Sequence, residues 1–101
     1  MPLPPARPGS VLILGASRGI GRSVAISAAE NGFPVAVGCR NVEDGQQVVL
    51  QIAALGGRGT AVSVDVTDYD SVEAAVEVAA ALGGGLAGLV NNAAIIDPIA
   101  H

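Results

Sequence analysis

Short apolar runs alternate along this chain with longer stretches in which apolar residues recur at helical spacing. The short runs consist mostly of β-branched or small residues and are bounded by Gly, Asn or Asp, as buried strands are. They predict four strands, over residues 11–14, 34–39, 60–64 and 86–90. The longer stretches predict three helices between them, over residues 19–31, 42–55 and 68–82.

Each predicted helix has one apolar face and is followed by glycine. Asn41 is expected to cap the second helix, and either Thr67 or Asp68 the third. The glycines expected to end the helices are Gly32, then Gly56 and Gly57, then Gly83, Gly84 and Gly85. The apolar faces should consist of Ile20, Val24, Ala25 and Ala28 in the first helix, Val48, Val49, Ile52 and Leu55 in the second, and Val72, Ala75, Val76 and Ala79 in the third.

Strands that alternate with helices imply an α/β fold with a parallel sheet. Because crossovers are right-handed, few topologies remain. The preferred one is a doubly wound parallel sheet with element order βαβαβαβ and strand order 3-2-1-4. Its first two helices lie on one face and the third on the other. A core of Val, Ile, Leu and Ala suits this arrangement, since the chain is 50% hydrophobic but only 2% aromatic.

Length, charge and cysteine usage exclude several classes of protein for this chain. At 101 residues the chain forms one domain at most, and its net charge of −4 argues against a nucleic-acid partner. No apolar run is long enough to cross a bilayer, and the proline-rich start lacks the apolar segment of a secretory signal. The single cysteine, Cys39, excludes an internal disulfide and fits a cytoplasmic protein. We expect it to be a small buried hydrophobe without a redox role.

Three glycines, Gly15, Gly19 and Gly21, lie where the first strand passes into the first helix. Free backbone N–H groups and the positive end of a helix dipole attract phosphate at such a place. Gly15 allows the tight turn, Gly19 lets the backbone approach a pyrophosphate, and Gly21 lets the helix lie close to the strand. The alternative is a plain turn, but the position inside a repeating βα pattern favours a dinucleotide site.

Three segments together resemble the short-chain dehydrogenase/reductase family. They are GASRGIG at residues 15–21, DVTD at 65–68 and NNAA at 91–94, in the family's order and at its spacing. The resemblance covers nearly the whole chain after the first nine residues. It implies a partial Rossmann-type fold in which residues 10–101 are the N-terminal half of a dinucleotide-binding domain and residues 1–9 are an extended tail.

The resemblance also implies a set of cofactor-binding residues. The glycine loop would line the phosphates and the adenosine ribose, Asp65 would accept a hydrogen bond from the adenine amino group, and Asn91 would lie against the ribose. The full set is Gly15, Ser17, Arg18, Gly19, Ile20, Gly21, Arg40, Asp65, Val66, Asn91 and Ala93. Two of these have alternatives: Asp65 as a helix cap, and Asn91 with its neighbour as an ordinary turn.

The residues after the second strand bear on the choice between NAD and NADP. NAD-binding folds place an acid about 20 residues after the glycines, where it accepts hydrogen bonds from the ribose 2′-hydroxyl. Here Cys39 is followed by Arg40, and no acid occurs until Glu43. Arg40 and Arg18 together suit a 2′-phosphate, so NADP is expected and NAD is less favoured. The alternative is that both arginines are merely solvated.

The family's catalytic serine and Tyr-x-x-x-Lys pair are not found in this sequence. Its one tyrosine, Tyr69, has Glu73 four residues later, and there is no lysine. We therefore expect the NADP(H)-binding half of an oxidoreductase that transfers hydride between the cofactor and a carbonyl or alcohol. A small carbonyl or an acyl thioester, as in 3-oxoacyl-carrier-protein reductases, would be its substrate only in a full-length form.

The alternative function is a non-catalytic dinucleotide-binding module or partner subunit. For either function, the fourth strand would leave one sheet edge and part of an apolar face bare. Such an edge favours self-association.

Overall fold

The computed structural model describes residues 8–16 and 19–92 of the chain. Strands and helices alternate in the predicted order. The elements are β1 (Ser10–Leu14), α1 (Gly19–Glu30), β2 (Val35–Cys39), α2 (Val42–Ala54), β3 (Gly59–Ser63), α3 (Tyr69–Gly83) and β4 (Leu86–Asn91). Of the predicted extended tail, residues 1–7 lie outside the described residues. Gly9 at its end is tied down, since its N–H donates to the carbonyl of Gly83 over 3.0 Å.

The four strands form one parallel sheet in the order β3-β2-β1-β4, which confirms the predicted topology. Val11 is opposite Val35 across the β1–β2 pair, and Leu14 is opposite Asn91 across the β1–β4 pair. The register shifts between Ser10 and Val11 on the β4 side. All four strands end at the same edge of the sheet, which is where ligands bind in open α/β sheets.

Two apolar clusters cover the two faces of the sheet, and each contains the helices predicted for it. On one face, Ile13, Val35 and Val37 pack with Val48 and Ile52 of α2 and with alanines of α1. On the other face the buried residues are Leu12, Leu14, Ala36, Val64, Ala75 and Ala79, the last two from α3. The fold is therefore the doubly wound, partial Rossmann-type α/β arrangement expected from the sequence.

The second and third helices begin at predicted capping residues, and a predicted glycine follows each of the three helices. Asn41 caps α2, accepting a hydrogen bond from the backbone N–H of Glu43, and Asp68 rather than Thr67 caps α3. Gly32, Gly56 and Gly84 follow the three helices with φ of 91°, 88° and 73°. Residues with a side chain rarely adopt these values, so glycine favours termination there.

Three residues differ from their expected environment. Ile20 and Leu55 were predicted to face the core, but they are 72% and 41% exposed. Ile20 lies in the first turn of α1, beyond the end of β1, and Leu55 is already the C-cap of α2. Ser10, which the apolar pattern left out of the first strand, is fully buried in it, and its hydroxyl is satisfied there because it donates to the carbonyl of Ala79.

The outer edge of β4 has no strand beside it among the described residues. Leu89 is opposite Leu12 and therefore belongs to the face that α3 covers, yet it is 50% exposed. The described helices have at most 15 residues, and none combines the length and apolar character that crossing a membrane requires.

Candidate dinucleotide-binding site

The candidate site lies at the carboxyl edge of the sheet, where strand order reverses. The chain proceeds from β1 outward to β3 and then returns to place β4 on the other side of β1. At such a switch point the loops after the two adjacent strands separate and leave a crevice. Gly15 follows β1 and Asn92 follows β4, so these two segments are the ones that would flank such a crevice.

The glycine turn between β1 and α1 has the backbone that its sequence predicts. Gly15 has a φ of 79° and donates its N–H to the carbonyl of Gly38 over 2.8 Å, while Gly19 has a φ of 63°. A Cβ at Gly21 would overlap the carbonyl oxygen of Gly15. Helix α1 therefore contacts the end of β1 directly. Ser17 and Arg18, also predicted for the site, lie outside the described residues.

The space beside Gly19 is large enough for a ligand atom to approach the backbone closely. A Cβ built on Gly19 would meet no atom within 4 Å, so nothing in the described protein fills the place beside it. The turn opens the N-terminus of a 12-residue helix, and the first turn of a helix presents N–H groups without intrahelical partners together with the positive end of the helix dipole. This combination suits the pyrophosphate of a dinucleotide.

An asparagine that the sequence analysis did not assign to the site completes the crevice. The backbone N–H of Asn92 donates to the carbonyl of Leu14 over 2.9 Å and continues the β1–β4 ladder beyond Asn91. Its side-chain Nδ2 would be 2.9 Å from a Cβ on Gly21. The doubled asparagine at the end of an apolar strand was the signal available in the sequence. Ala93, predicted for the site, lies outside the described residues.

Ile20 and Arg40 are both exposed near this edge. Ile20 follows Gly19 in the first turn of α1, where its side chain is available to an incoming ligand. Arg40 follows β2 directly, and its carbonyl accepts a hydrogen bond from the Ser63 hydroxyl at 3.4 Å. Its positive charge is close enough to Asp65 to help lower the pKa of that carboxyl.

Asp65 lies after β3 and is held by its own turn. Its Oδ1 accepts hydrogen bonds from the Thr67 backbone N–H at 2.9 Å and from the Thr67 hydroxyl at 2.6 Å. Both hydrogen bonds lower the pKa of Asp65 below its ordinary value, and the bond from the Thr67 hydroxyl has the larger effect. Because Asp68 caps α3, the alternative of Asp65 as that helix's cap is wrong. The side chain of Val66 packs against the buried cluster that lies between the sheet and α3.

Cys39 has the buried surroundings predicted for it, and the single tyrosine lies on the surface. Cys39 is buried, and burial raises the pKa of its thiol, so it lacks the character of a reactive thiolate. Tyr69 begins α3 and is 76% exposed. No group of histidine, cysteine and carboxylate side chains among residues 8–16 and 19–92 could hold a metal ion.

Comparison with known protein families matches residues 10–101 to the short chain dehydrogenases. The chain belongs to this family. A 3-oxoacyl-acyl-carrier-protein reductase, FabG of Staphylococcus aureus strain Mu50, is 44% identical over 87 residues, which are 85% of this chain and 35% of that protein. Cyclohexanol dehydrogenase of Acinetobacter sp. strain SE19 is 40% identical over 88 residues, or 87% of this chain and 35% of the relative. The chain thus spans about a third of the length of these curated family members.

Solved structures of the family share the fold described above. A hydroxysteroid dehydrogenase from Escherichia coli superposes with a TM-score of 0.83 at 33% identity, over 90% of this chain and 39% of that one. A 7α-hydroxysteroid dehydrogenase solved with NADH and 7-oxo glycochenodeoxycholic acid gives a TM-score of 0.80 at 32% identity, over 86% of this chain and 34% of that one. This relative thus binds a nicotinamide dinucleotide.

Proposed function

We propose that this chain is the NADP(H)-binding portion of an oxidoreductase that transfers hydride between NADP(H) and a carbonyl or alcohol substrate. The observation that carries the proposal is the glycine turn. It presents the start of α1 at the switch point of the sheet and leaves open space at Gly19. Gly15, Ser17, Arg18, Gly19, Ile20 and Gly21 would hold the phosphates and adenosine ribose, and the bound nicotinamide would supply or accept the hydride.

The other proposed contacts lie further along the same edge of the sheet. Asp65 and the backbone of Val66 would bind adenine, and Asn91 and Ala93 would lie against the ribose. The carboxylate of Asp65 is an acceptor, which matches the amino group of adenine. Because its pKa is lowered from an already acidic ordinary value, the carboxyl is ionised at neutral pH and remains so at a lower pH than an ordinary aspartate.

The preference for NADP over NAD rests on Arg40. The Arg40 guanidinium is exposed beside the adenosine end of the proposed site, and no hydrogen bond or ion pair occupies it among the described residues. It is therefore available to bind a 2′-phosphate through paired N–H groups. Strand β2 ends at Cys39, and no acidic residue follows until Glu43, so no carboxylate stands at the place where NAD-binding folds hold the 2′-hydroxyl.

The substrate class is proposed from the relatives, whose names include a 3-oxoacyl-acyl-carrier-protein reductase and a cyclohexanol dehydrogenase. A small carbonyl or an acyl thioester is therefore the proposed substrate of a form as long as those proteins. The chain contains no lysine, and the residue four after Tyr69 is Glu73. We expect the 101 residues alone to bind NADPH without oxidising it. The free, buried Cys39 is consistent with the reducing cytoplasm as the compartment.

Calorimetric titration of the chain with NADPH and with NADH tests the proposal. NADPH should bind more tightly, and Arg40→Ala should weaken NADPH binding by about tenfold, equal to about 1.4 kcal/mol, while leaving NADH binding unchanged. Arg58→Ala is the control for loss of an arginine away from the site, because Arg58 precedes β3 at the amino ends of the strands, where its guanidinium donates to the carbonyl of Leu82. Equal affinity for the two cofactors, or a preference that Arg40→Ala leaves intact, would contradict the NADP assignment. Failure of both cofactors to bind would contradict the proposed function.

A further inference from the structure

The turn after β3 fixes Asp65 by both its backbone and its side chain. The backbone N–H of Asp65 donates to the Ser71 hydroxyl in the first turn of α3, over 2.9 Å. The carboxylate Oδ1 accepts both hydrogen bonds from Thr67 described above. The orientation of this side chain is therefore set by the protein before any ligand arrives.

The two hydrogen bonds from Thr67 leave the carboxylate with one uncommitted oxygen. An ionised carboxylate has two oxygens and about four acceptor positions. Thr67 occupies two of them on Oδ1, and Oδ2 has no hydrogen-bond partner among the described residues. Donation from a hydroxyl and an N–H also favours the charged form, which can only accept hydrogen bonds.

Thr67 is not needed to cap the helix that follows it. Asp68 performs that role, since its Oδ1 accepts from the N–H groups of Asp70 and Ser71 at 3.0 and 3.4 Å. The Thr67 side chain is exposed, and its hydroxyl donates to Asp65. Its removal should therefore disturb the carboxylate more than the helix.

We infer that Thr67 is a positioning residue that holds the Asp65 carboxylate so that its Oδ2 faces the adenine amino group of the cofactor. This inference rests on the proposed function, because it assumes that a dinucleotide binds at this edge. It goes beyond that function by assigning recognition of the amino group to the pair Asp65 and Thr67 rather than to Asp65 alone.

Two nucleotides and a set of variants test the inference by binding. NADPH carries the amino group, whereas its hypoxanthine analogue carries an oxygen acceptor at that position. Thr67→Val removes the hydroxyl at nearly constant shape, and it should weaken NADPH binding by about three- to tenfold without changing binding of the analogue. Thr67→Ser should retain the affinity of the unsubstituted chain. Thr60→Val makes the same chemical change within β3, where the hydroxyl has no hydrogen-bond partner among the described residues, and should have no effect.

A carboxyl-resonance NMR titration of the chain without nucleotide gives a second readout. The lowered pKa means that Asp65 stays ionised to a lower pH than an ordinary aspartate and gains its proton only as pH falls through the lowered value. Thr67→Val should raise the pKa of Asp65, so protonation begins at a higher pH, and Thr60→Val should not. Thr67→Ala, which removes the same hydroxyl, supplies the test if the valine variant melts at lower temperature.

The outcomes separate the two proposals. If the unsubstituted chain binds neither nucleotide, the proposed function is wrong and this inference is wrong with it. If the chain binds NADPH but Thr67→Val and Thr67→Ala weaken both nucleotides equally, or neither, only the positioning role is overturned. An Asp65 pKa that these two variants leave unchanged would also overturn it.

Discussion

At the residue scale, Gly19 and Gly84 share a backbone conformation but have different chemical surroundings. Their φ values are 63° and 73°, and a Cβ at either would meet no described atom within 4 Å. Gly84 caps the end of α3, whereas Gly19 opens α1 at the proposed phosphate site. Substitutions at these two positions can therefore distinguish the loss of stability caused by the backbone conformation from the loss of affinity for the ligand.

We predict that Gly19→Ala and Gly84→Ala destabilise the chain to a similar extent. A left-handed conformation costs a residue with a Cβ about 1–2 kcal/mol, and neither site adds a clash. Only Gly19→Ala should also weaken NADPH binding, by at least about tenfold, because its methyl would enter the space proposed for the phosphates. Urea unfolding and calorimetric titration of the two variants provide the measurements. If both variants bound NADPH with equal affinity, the phosphates would not bind beside Gly19 and this prediction would be wrong.

At the element scale, α2 shows how one helix separates its core face from its surface. Ile52 is fully buried against the sheet, while Leu50, two residues earlier, is 63% exposed. Residues two apart do not share a helix face, so this difference follows from the helical period. The sequence analysis also placed Leu55 on the buried face of this helix. That prediction is wrong because the helix ends at Ala54, one residue earlier.

We expect Ile52→Ala to destabilise the chain by about 2–5 kcal/mol through lost burial and a residual cavity. Leu50→Ala, on the same helix, should change the free energy of unfolding by less than about 0.5 kcal/mol. Equilibrium denaturation followed by circular dichroism measures both. If the smaller Ile52→Val change is used instead, about 0.5–1.5 kcal/mol is expected. Comparable losses at positions 50 and 52 would mean that α2 packs on the sheet through another face.

At the scale of the whole molecule, the sheet is covered unequally. The buried cluster between the sheet and α3 contains residues of β1 and β2 and Val64, which follows β3, but Leu89 of β4 is half-exposed on the same face. Leu86 on the same strand is 38% exposed. An edge strand with bare apolar side chains and unpaired backbone groups favours association with another chain.

We predict that the isolated chain self-associates through β4. Leu89→Lys should shift the population toward monomer, because a charged side chain on an edge opposes strand pairing. Leu50→Lys introduces the same charge on the exposed face of α2 and should leave association unchanged. Sedimentation velocity over a range of concentrations measures the effect. A monodisperse monomer of the unsubstituted chain with a cooperative melt would contradict this prediction.

The sequence by itself determined the elements, their order and the family. Apolar periodicity, asparagine and aspartate caps and the glycines after each helix act within a few residues, so their effect can be predicted locally. Strand order also followed, because right-handed crossovers between parallel strands restrict topology. The predicted strand and helix bounds differ from the observed ones by one residue at most.

Only the tertiary structure decided which residues meet across the sheet. The exposure of Ile20, the burial of Ser10 and the approach of Asn92 to Gly21 depend on contacts between segments far apart in the sequence. The partnership of Thr67 with Asp65 is local, yet its hydrogen bonds depend on the backbone of the turn, which α3 anchors through Ser71. Periodicity and residue type specify the faces of elements, whereas packing alone specifies the atoms that lie within hydrogen-bond distance of one another.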